Sequence, residues 1–496
     1  MSPQAPTNIA SGAQPLAYST TYTGVVKGGT VNPRVTDAAG NALVSDYTWT
    51  FTTAAPPPPP PTQGPGGPVL VVTSTSNPFS SYYAEILRNE GLNAFATLDI
   101  SQVSASTLGS YDLVVLGEMT LSPAQVTMFT TWVTAGGNLI AMRPDKQLAG
   151  LLGLTDAAST LANTYLLVNT ASAPGAGIVN QTTQFHGTAD RYTLNGATSI
   201  ATLYSNATTA TVNPAVTMRT VGANGHAVAF TYDLARSVVT TRQGNPAWAG
   251  QERDAIVPVR SDDLFFGAKT GDVQPDWVDL NKVAIPQADE QQRFLWNIIL
   301  QTNASRKPLP RFWYLPRMFK AVVIMTGDDH GNNGTSERFD GYITSSPHRC
   351  SVVDWECIRA TSYMYPNTPM SDGRAQQYVA QGFELGVHIN TNCLDWTTTS
   401  LPLFYSTQLT QFAAAFPHVP APTTNRTHCI VWSDYATQPQ VEINTGIRLD
   451  TSYYYYPWHV DSGSSRLVHR VGDADAVCDA NRPDDRCLPG RVADDG

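Results

Sequence analysis

Charged residues are scarce in this chain of 496 residues, where they make up 14%, and the 40 acidic residues outnumber the 30 basic ones. The formal net charge is −10, and no basic stripe is present that could neutralise phosphate groups. We therefore expect no nucleic-acid partner. No apolar run reaches the length that a bilayer span requires, so we expect no membrane span. The chain is too long to fold around a single hydrophobic core, and its length predicts about three domains.

Cysteine is absent before residue 350, and the six cysteines follow within the last third of the chain. No C-x-x-C pair occurs, which argues against a structural zinc site. Cys350 with Cys357 would close a short loop, and Cys393 with Cys429 would link two loops. Both pairings suit an oxidising compartment. The start Met1-Ser-Pro-Gln lacks the charged and apolar segments of a secretory signal. We interpret this as a missing upstream segment and predict an extracellular or cell-surface protein.

The first 54 residues contain two alternating segments, Thr20–Val26 and Tyr47–Thr53, separated by a turn signal at Asp37–Leu43. The acidic-glycine-asparagine turn and the ending Trp-x-Phe-Thr-Thr resemble the last half of a bacterial Ig-like domain. A complete β-sandwich of this type needs about 100 residues, so 1–54 is predicted to be a partial one, and the chain to begin inside a domain. Six consecutive prolines from Pro56 then predict a stiff linker over 55–68.

Residues 69–305 alternate between strand and helix patterns, which predicts an α/β domain with a parallel sheet. The run Ala135–Ile140 resembles the glutamine-amidotransferase-like or ThuA-like flavodoxin fold. Enzymes of that type with a thiol nucleophile need a cysteine here, and none is present, so a structural or sugar-contacting role is expected. Residues 163–270 are predicted to form a β-rich lobe. Gln287–Leu300 is predicted to be a helix that packs back onto the sheet.

The run Ala321–His330 has strand character and ends in two adjacent carboxylates, Asp328 and Asp329, followed by His330. Chemistry gathers at the carboxyl ends of strands in α/β folds, and adjacent carboxylates there are usually stabilised by a metal ion. The alternative is a helix cap or turn. Apolar segments flanked by ionisable groups recur three times, at 382–392, 426–434 and 446–450. Their repetition favours an active site.

Two of these segments carry a family resemblance. Thr326-Gly-Asp328-Asp329 resembles the Thr-x-Asp-Asp motif of the polysaccharide deacetylases (NodB-like, carbohydrate esterase family four), and Glu384-Leu-Gly-Val-His388 resembles their Glu-Ile-Gly-x-His motif. The resemblance covers residues 318–457. It implies a distorted (β/α) barrel that removes acetyl groups from sugars with a divalent metal. Zinc is the expected metal, and the substrate would be a polysaccharide or cell-wall glycan.

The resemblance also implies residue roles. Asp328 would be the general base, and Asp329 and His388 would be metal ligands. The family has a histidine as third ligand where this chain has Asn392, a weaker neutral ligand, and His330 is the candidate that would replace it.

Arg426 lies where the family's base-orienting arginine is sought, with His428 beside it. We count Asp328, Arg426 and His428 as catalytic candidates, and Asp329, His388, Asn392 and His330 as metal-ligand candidates.

After Pro457 the pattern becomes irregular, and two interpretations of residues 458–496 remain. One is a disordered tail. The other is a shifted reading frame, which would make the chain a fragment and leave the barrel incomplete at its C-terminus.

The predicted fold class is thus α/β multidomain: a partial β-sandwich, a flavodoxin-like domain with a β-rich lobe, and a distorted (β/α) barrel. The predicted function is a metal-dependent hydrolase that deacetylates a polysaccharide at a non-peptide C–N bond. The alternatives are an inactive deacetylase-like domain in a cell-surface carbohydrate-binding protein, and a structural wall-associated protein.

Overall fold

The computed structural model describes residues 19–37, 39–52, 64, 66–267, 276–306, 309–311, 323–330 and 334–453. The chain folds as two compact units, residues 1–60 and 61–496. The proline run, residues 312–322 and the tail with Cys478 and Cys487 lie outside the described residues, as do the predictions made for them. Among the described helices, none has both the length and the apolar character needed to cross a membrane.

The first unit contains an antiparallel strand pair, β1 (Thr21–Val26) and β2 (Tyr47–Thr52). Gly24 lies directly opposite Trp49, and a Cβ atom on Gly24 would meet the indole ring at 2.3 Å. Only glycine therefore leaves room for this ring. The predicted turn between the strands is present, because the Asp37 side chain accepts hydrogen bonds from the backbone N–H groups of Ala39 and Asn41.

The second unit begins with a nine-stranded sheet. Its parallel part consists of β3 (Val69–Thr73), β4 (Phe95–Asp99), β5 (Leu113–Leu116), β6 (Asn138–Met142) and β11 (Gly225–Phe230). The helices between these strands are α1 (Tyr82–Asn89), α2 (Ala105–Leu108), α3 (Pro123–Thr134) and α4 (Ala149–Leu152). The parallel strands stand side by side in the order β4-β3-β5-β6-β11, the order 2-1-3-4-5 of flavodoxin-like sheets.

This sheet is covered on both faces, as its continuous apolar strands require. Val69 and Val71 of β3 pack into one core with helix α6 (Gln287–Asn303). Leu70 and Val72 point to the other face and pack with α3. The predicted helix at 287–300 is thus confirmed, together with its packing onto the sheet through Phe294, Leu295, Ile298 and Ile299.

Four antiparallel strands extend the same sheet beyond β11: β7 (Leu154–Val168), β8 (Thr183–Leu194), β9 (Thr198–Tyr204) and β10 (Ala210–Val221). They occupy much of the region predicted as a β-rich lobe. The prediction of strand character is wrong beyond residue 233, because helix α5 (Leu234–Gln243) and two 3-10 turns follow. The α5 side chains Leu234 and Val238, one helical turn apart, are buried in the same core as α6.

A second parallel sheet follows, with strands β12 (Thr326–Asp328), β13 (Thr361–Met364), β14 (Glu384–Val387), β15 (Thr424–Asn425) and β16 (Leu449–Asp450). The intervening helices are α7 (Gly334–Ser345), α8 (Asp372–Ala380), α9 (Ser400–Ala415) and α10 (Thr437–Thr445). The strands stand in chain order, which is the order of consecutive strands in a (β/α) barrel. This curled parallel sheet confirms the α/β class.

One strand prediction for this sheet is wrong. The segment 426–434 is a loop with a 3-10 turn at His428–Ile430, and the strand β15 lies just before it. Cys429 and Ile430 have φ values of 58° and 48°, which a strand does not allow. Strand β13 was not predicted. Both disulfides considered from the sequence are present, Cys350–Cys357 and Cys393–Cys429.

Candidate metal centre

The carboxyl ends of the second sheet bring together most of the site residues predicted from the sequence. Asp328 ends β12, His388 directly follows β14, and Arg426 directly follows β15. Parallel strands present their carboxyl ends at one edge, so these side chains meet although they are far apart in sequence. His330 and His428 lie in the loops that continue from β12 and β15.

Three histidines form the centre of this edge. The side-chain nitrogens of His330, His388 and His428 all lie within 4.8 Å of one another. Their ring centroids are 5.1–5.2 Å apart. His388 is buried, His428 is half-buried and His330 is exposed, so the cluster opens to solvent on the His330 side. We call these three residues the three-histidine cluster.

The orientation of His388 is fixed by its backbone partner. Its Nδ1 atom lies 2.7 Å from the carbonyl oxygen of Arg426, an acceptor, so Nδ1 carries the proton and Nε2 presents a lone pair. Burial lowers the pKa of His388 to about 4, while the nearby Asp328 acts in the opposite direction. The ring is therefore neutral near pH 7. A carbonyl that fixes the distal nitrogen is the usual second partner of a metal-binding histidine.

The spacing of the rings fits a metal ion. His388 Nε2 lies 3.2 Å from His428 Nδ1. A tetrahedral zinc ion with zinc–nitrogen bonds of about 2.0 Å separates its nitrogen ligands by about 3.3 Å. Burial, and then His330, lower the pKa of His428, which favours its neutral form as well. Without a metal, the His428 Nδ1–H tautomer donates to His388 instead.

Each of the two carboxylates has one buried oxygen without a hydrogen-bond partner among the described residues. For Asp328 this is Oδ1, which lies 3.8 Å from His388 Nδ1 and 3.7 Å from Arg426 Nε. For Asp329 it is Oδ1, which lies 3.5 Å from His330 Nδ1. The other oxygen of Asp329 accepts the backbone N–H of Tyr365 at 2.7 Å. Asp329 thus lies beside His330, with one carboxylate oxygen near a ring nitrogen of this imidazole.

Asn392, the candidate for the third ligand, has a different environment from the three histidines. It is exposed, it has a φ of 61°, and its backbone N–H donates to the side chain of Asn390 at 2.7 Å. The three imidazoles come instead from His330, His388 and His428. The sequence assigned His428 to catalysis, whereas the geometry groups it with the ligand candidates. The roles of all seven residues stay predictions.

Sequence reasoning missed Tyr365, which directly follows β13 and contacts the cluster, and Arg338 of α7, which contacts the end of β12. The ring of Tyr365 lies 4.8 Å from that of His388 and 5.5 Å from those of His330 and His428. Burial, and then Asp329, raise the pKa of Tyr365, so its hydroxyl stays protonated. Arg338 donates to the carbonyl oxygen of Asp328 at 2.6 Å and holds the end of β12. The apolar and aromatic run Tyr363–Tyr365, directly before Pro366, was the sequence pattern that could have indicated a strand ending at Tyr365.

A third missed residue comes from the chain segment before α6. Arg260 Nε donates to the carbonyl oxygen of Cys429 at 3.1 Å, and Arg260 pairs with Val431 in an isolated β-bridge. The backbone of Val259 accepts from Trp432 at 2.9 Å. The indole of Trp432 is buried among Leu264, Phe265 and Phe266. Val259 and Arg260, which lie outside the second sheet, therefore hold the loop that carries His428. We call this contact the Arg260 clamp.

Comparisons with known proteins give one sequence match and several distant structural ones. Residues 8–53 match the model of the bacterial Ig-like domain. No curated protein matches the chain.

A β-galactosidase from Bacillus circulans sp. alkalophilus is 11% identical over 35% of this chain and 30% of its own, with a TM-score of 0.28. An exo-β-1,4-mannosidase from Opitutaceae bacterium strain TAV5 is 17% identical over 35% of this chain and 32% of its own, with a TM-score of 0.28. The chain thus spans about a third of the length of these glycoside hydrolases.

A glutamine amidotransferase from Methylobacillus flagellatus is 11% identical over 50% of this chain and 97% of its own, with a TM-score of 0.30. The chain therefore has a glutamine amidotransferase-like structural neighbour over part of its length, and a bacterial Ig-like segment at residues 8–53.

Proposed function

We propose that the part of the chain with the second parallel sheet is a metal-dependent hydrolase that removes acetyl groups from a polysaccharide or cell-wall glycan. One observation carries the proposal: three imidazoles converge within 4.8 Å beside two carboxylates that each keep a buried, unpartnered oxygen among the described residues. Three histidines with an open side are the ligand set of a catalytic rather than a structural zinc site.

The fold assignments that accompany this proposal are a distorted (β/α) barrel for the second sheet and a flavodoxin-like domain for the first. The strand orders of both sheets support them. The two disulfides and the bacterial Ig-like segment support an extracellular or cell-surface location.

His330, His388 and His428 would hold the metal, with zinc the expected ion, and Asp329 would orient His330. When bound, the metal supplies Lewis-acid polarisation of the acetyl carbonyl. The ligand set differs in two ways from the one that the motifs imply: an imidazole from the β15 loop takes the place expected for Asn392, and Asp329 is assigned an orienting role in place of a ligand role.

Asp328 is the general base of the proposal. Its Oδ1 atom accepts no hydrogen bond within the described structure, and its side chain is 24% exposed, so the carboxylate can take a proton from an attacking water. Arg426 Nε at 3.7 Å orients the carboxylate. The protonated hydroxyl of Tyr365 is the donor that we assign to the oxyanion of the tetrahedral intermediate.

The test combines metal analysis with acetate release from acetylated glycans, with Asp328→Asn as the variant. We expect the unmodified chain to retain zinc and release acetate, and Asp328→Asn to retain zinc but lose most of the release. Asp340→Asn, on the exposed face of α7, is the matched control and should keep full activity. A chain without metal and without acetate release would leave the alternative, an inactive domain that binds carbohydrate.

A further inference from the structure

His428 belongs to a second group of metal-binding atoms. Its ring nitrogen and the Sγ atoms of Cys393 and Cys429 also lie within 4.8 Å of one another. Both sulfurs are joined in a disulfide, so they are not ligands in this structure. The same imidazole therefore lies within reach of two histidine nitrogens and of two sulfurs.

The disulfide joins the two loops that supply the buried part of the three-histidine cluster. Cys393 lies in the loop after β14, five residues beyond His388, and Cys429 directly follows His428. The loops meet in strained backbone: Asn392, Cys393, Cys429 and Ile430 all have positive φ values, between 48° and 61°. Such conformations are unfavourable for residues other than glycine and persist where the surrounding structure imposes them.

We propose that reduction of the Cys393–Cys429 disulfide creates a second metal site, made of these two thiolates and His428, that competes with the three-histidine cluster for their shared imidazole. The metal class is a soft or borderline divalent ion such as zinc, for which thiolates are strong ligands. The proposal rests on the proposed function in one respect, since that function assigns His428 to the three-histidine cluster.

The reduction step needs two electrons and two protons. With a water-soluble phosphine as reductant, the S–S bond breaks, water supplies the oxygen of the phosphine oxide, and its two hydrogens end on the two sulfurs. Binding of zinc then displaces the two thiol protons to solvent. The sulfurs must move from bonding distance to about 3.8 Å, the separation of two thiolates on one tetrahedral zinc ion. Relaxation of the strained loops accommodates this movement.

The two sites have different chemical consequences. Three imidazoles leave a coordination position open, whereas removal of His428 into a thiolate set leaves only His330 and His388 beside Asp328. We therefore expect reduction to shift zinc away from the hydrolytic centre. In an oxidising compartment the disulfide keeps His428 in the three-histidine cluster.

The test is a cysteine-alkylation map of the unmodified chain. The chain is reduced with the phosphine, desalted without oxygen, and pulsed with iodoacetamide in the presence or absence of zinc. Zinc should slow the alkylation of Cys393 and Cys429 by about tenfold or more, because a bound thiolate is a poor nucleophile. Cys350 and Cys357, which form the other disulfide, are the internal controls and should be alkylated at unchanged rates.

Two variants separate this inference from the proposed function. His428→Ala should abolish the protection of Cys393 and Cys429, whereas His388→Ala should remove zinc from the oxidised chain yet leave the protection in the reduced chain intact. Alkylation of Cys393 and Cys429 at equal rates with and without zinc, or protection that survives His428→Ala, would overturn the second site. Neither result bears on zinc binding by the oxidised chain, which tests the proposed function separately.

Discussion

His388 Nε2 and His428 Nδ1 lie 3.2 Å apart although the two residues are separated by 40 positions. Backbone pairing produces this contact. Val387 of β14 pairs with Asn425 of β15, and the backbone N–H of His428 donates to the carbonyl of Ile389 at 2.7 Å. The ladder of backbone hydrogen bonds thus continues past the ends of both strands, and it brings the two imidazoles together. Main-chain bonds therefore place both rings, and the side chain of Arg260 adds one further bond to the loop that carries His428.

The contact between Arg426 and Asp328 gives a prediction about the base. Arg426→Lys removes the planar fork that faces Asp328 Oδ1, while the carbonyl that holds His388 is retained. We expect kcat for acetate release to fall by about 10- to 100-fold with unchanged zinc content. Arg374→Lys, at an exposed pair with Asp340, is the control. Unchanged kcat in Arg426→Lys would remove the orienting role.

The hydroxyl of Tyr365 can be tested without disturbing its ring. Tyr365→Phe keeps the ring contacts with the histidines but removes the donor, so kcat should fall by about 100-fold while zinc affinity stays the same. Tyr378→Phe, whose hydroxyl bonds to Ser336 and Asp340, should leave kcat unchanged. A loss of zinc together with activity in Tyr365→Phe would show a structural role and contradict the oxyanion assignment.

The Arg260 clamp predicts that a residue outside the second sheet affects the affinity of the three-histidine cluster for metal. Arg260→Ala removes the bond to the carbonyl of Cys429, next to His428, and should raise the zinc Kd by about 10- to 100-fold. Arg260→Lys keeps a long donor and should recover part of the affinity. Arg219→Ala, which loses a similar bond to Gly150 at the first sheet, is the control. Equal zinc affinity in Arg260→Ala and the unmodified chain would show that the clamp does not position His428.

Sequence periodicity identified much of the first sheet but little of the second. Runs such as Val69–Val72 are buried on both faces and therefore read as strands, and helix α6 shows one apolar face. The strands of the second sheet have only two to four residues, too few for a period to emerge, and the small polar segment Thr424–Asn425 carries no apolar signal at all. Its position depends on pairing with β14, which is a long-range contact.

Buried His186 gives a prediction about acid stability. Its ring stacks on Trp277 at 4.0 Å, and neither ring nitrogen has a hydrogen-bond partner among the described residues. Burial lowers its pKa from 6.5 to about 3, so between these values the unfolded chain binds more protons than the folded one. The free energy of unfolding therefore rises with pH across this window. As the pH falls from above 6.5 to below 3, the contribution of His186 decreases by about 5 kcal/mol in total.

The variant His186→Phe keeps the stacking and removes the titrating group. Chemical denaturation at pH 7.5 and at pH 4.5 should show a smaller loss of unfolding free energy for this variant than for the unmodified chain. His348→Phe, at an exposed position, should lose as much as the unmodified chain does. Parallel behaviour of His186→Phe and the unmodified chain would mean that His186 does not contribute to acid unfolding.

The site was predictable where it follows strand ends with a motif, and not where it depends on loops. Asp328 and His388 were identified because each ends an apolar segment. The grouping of His428 with His388 was not, since it requires the register of β14 against β15. Arg260 is more remote still, because it approaches the cluster across 169 residues of sequence from the segment before α6. No local pattern indicates such a contact.

The most direct test of the three-histidine cluster is zinc content by elemental analysis of the oxidised chain after exhaustive desalting. We expect about one zinc ion per chain, and its loss in both His388→Ala and His428→Ala. His418→Ala, an exposed histidine that pairs with Asp372 on α8, should keep the full content. Full zinc content in His428→Ala, or none in the unmodified chain, would contradict a metal centre built on His330, His388 and His428.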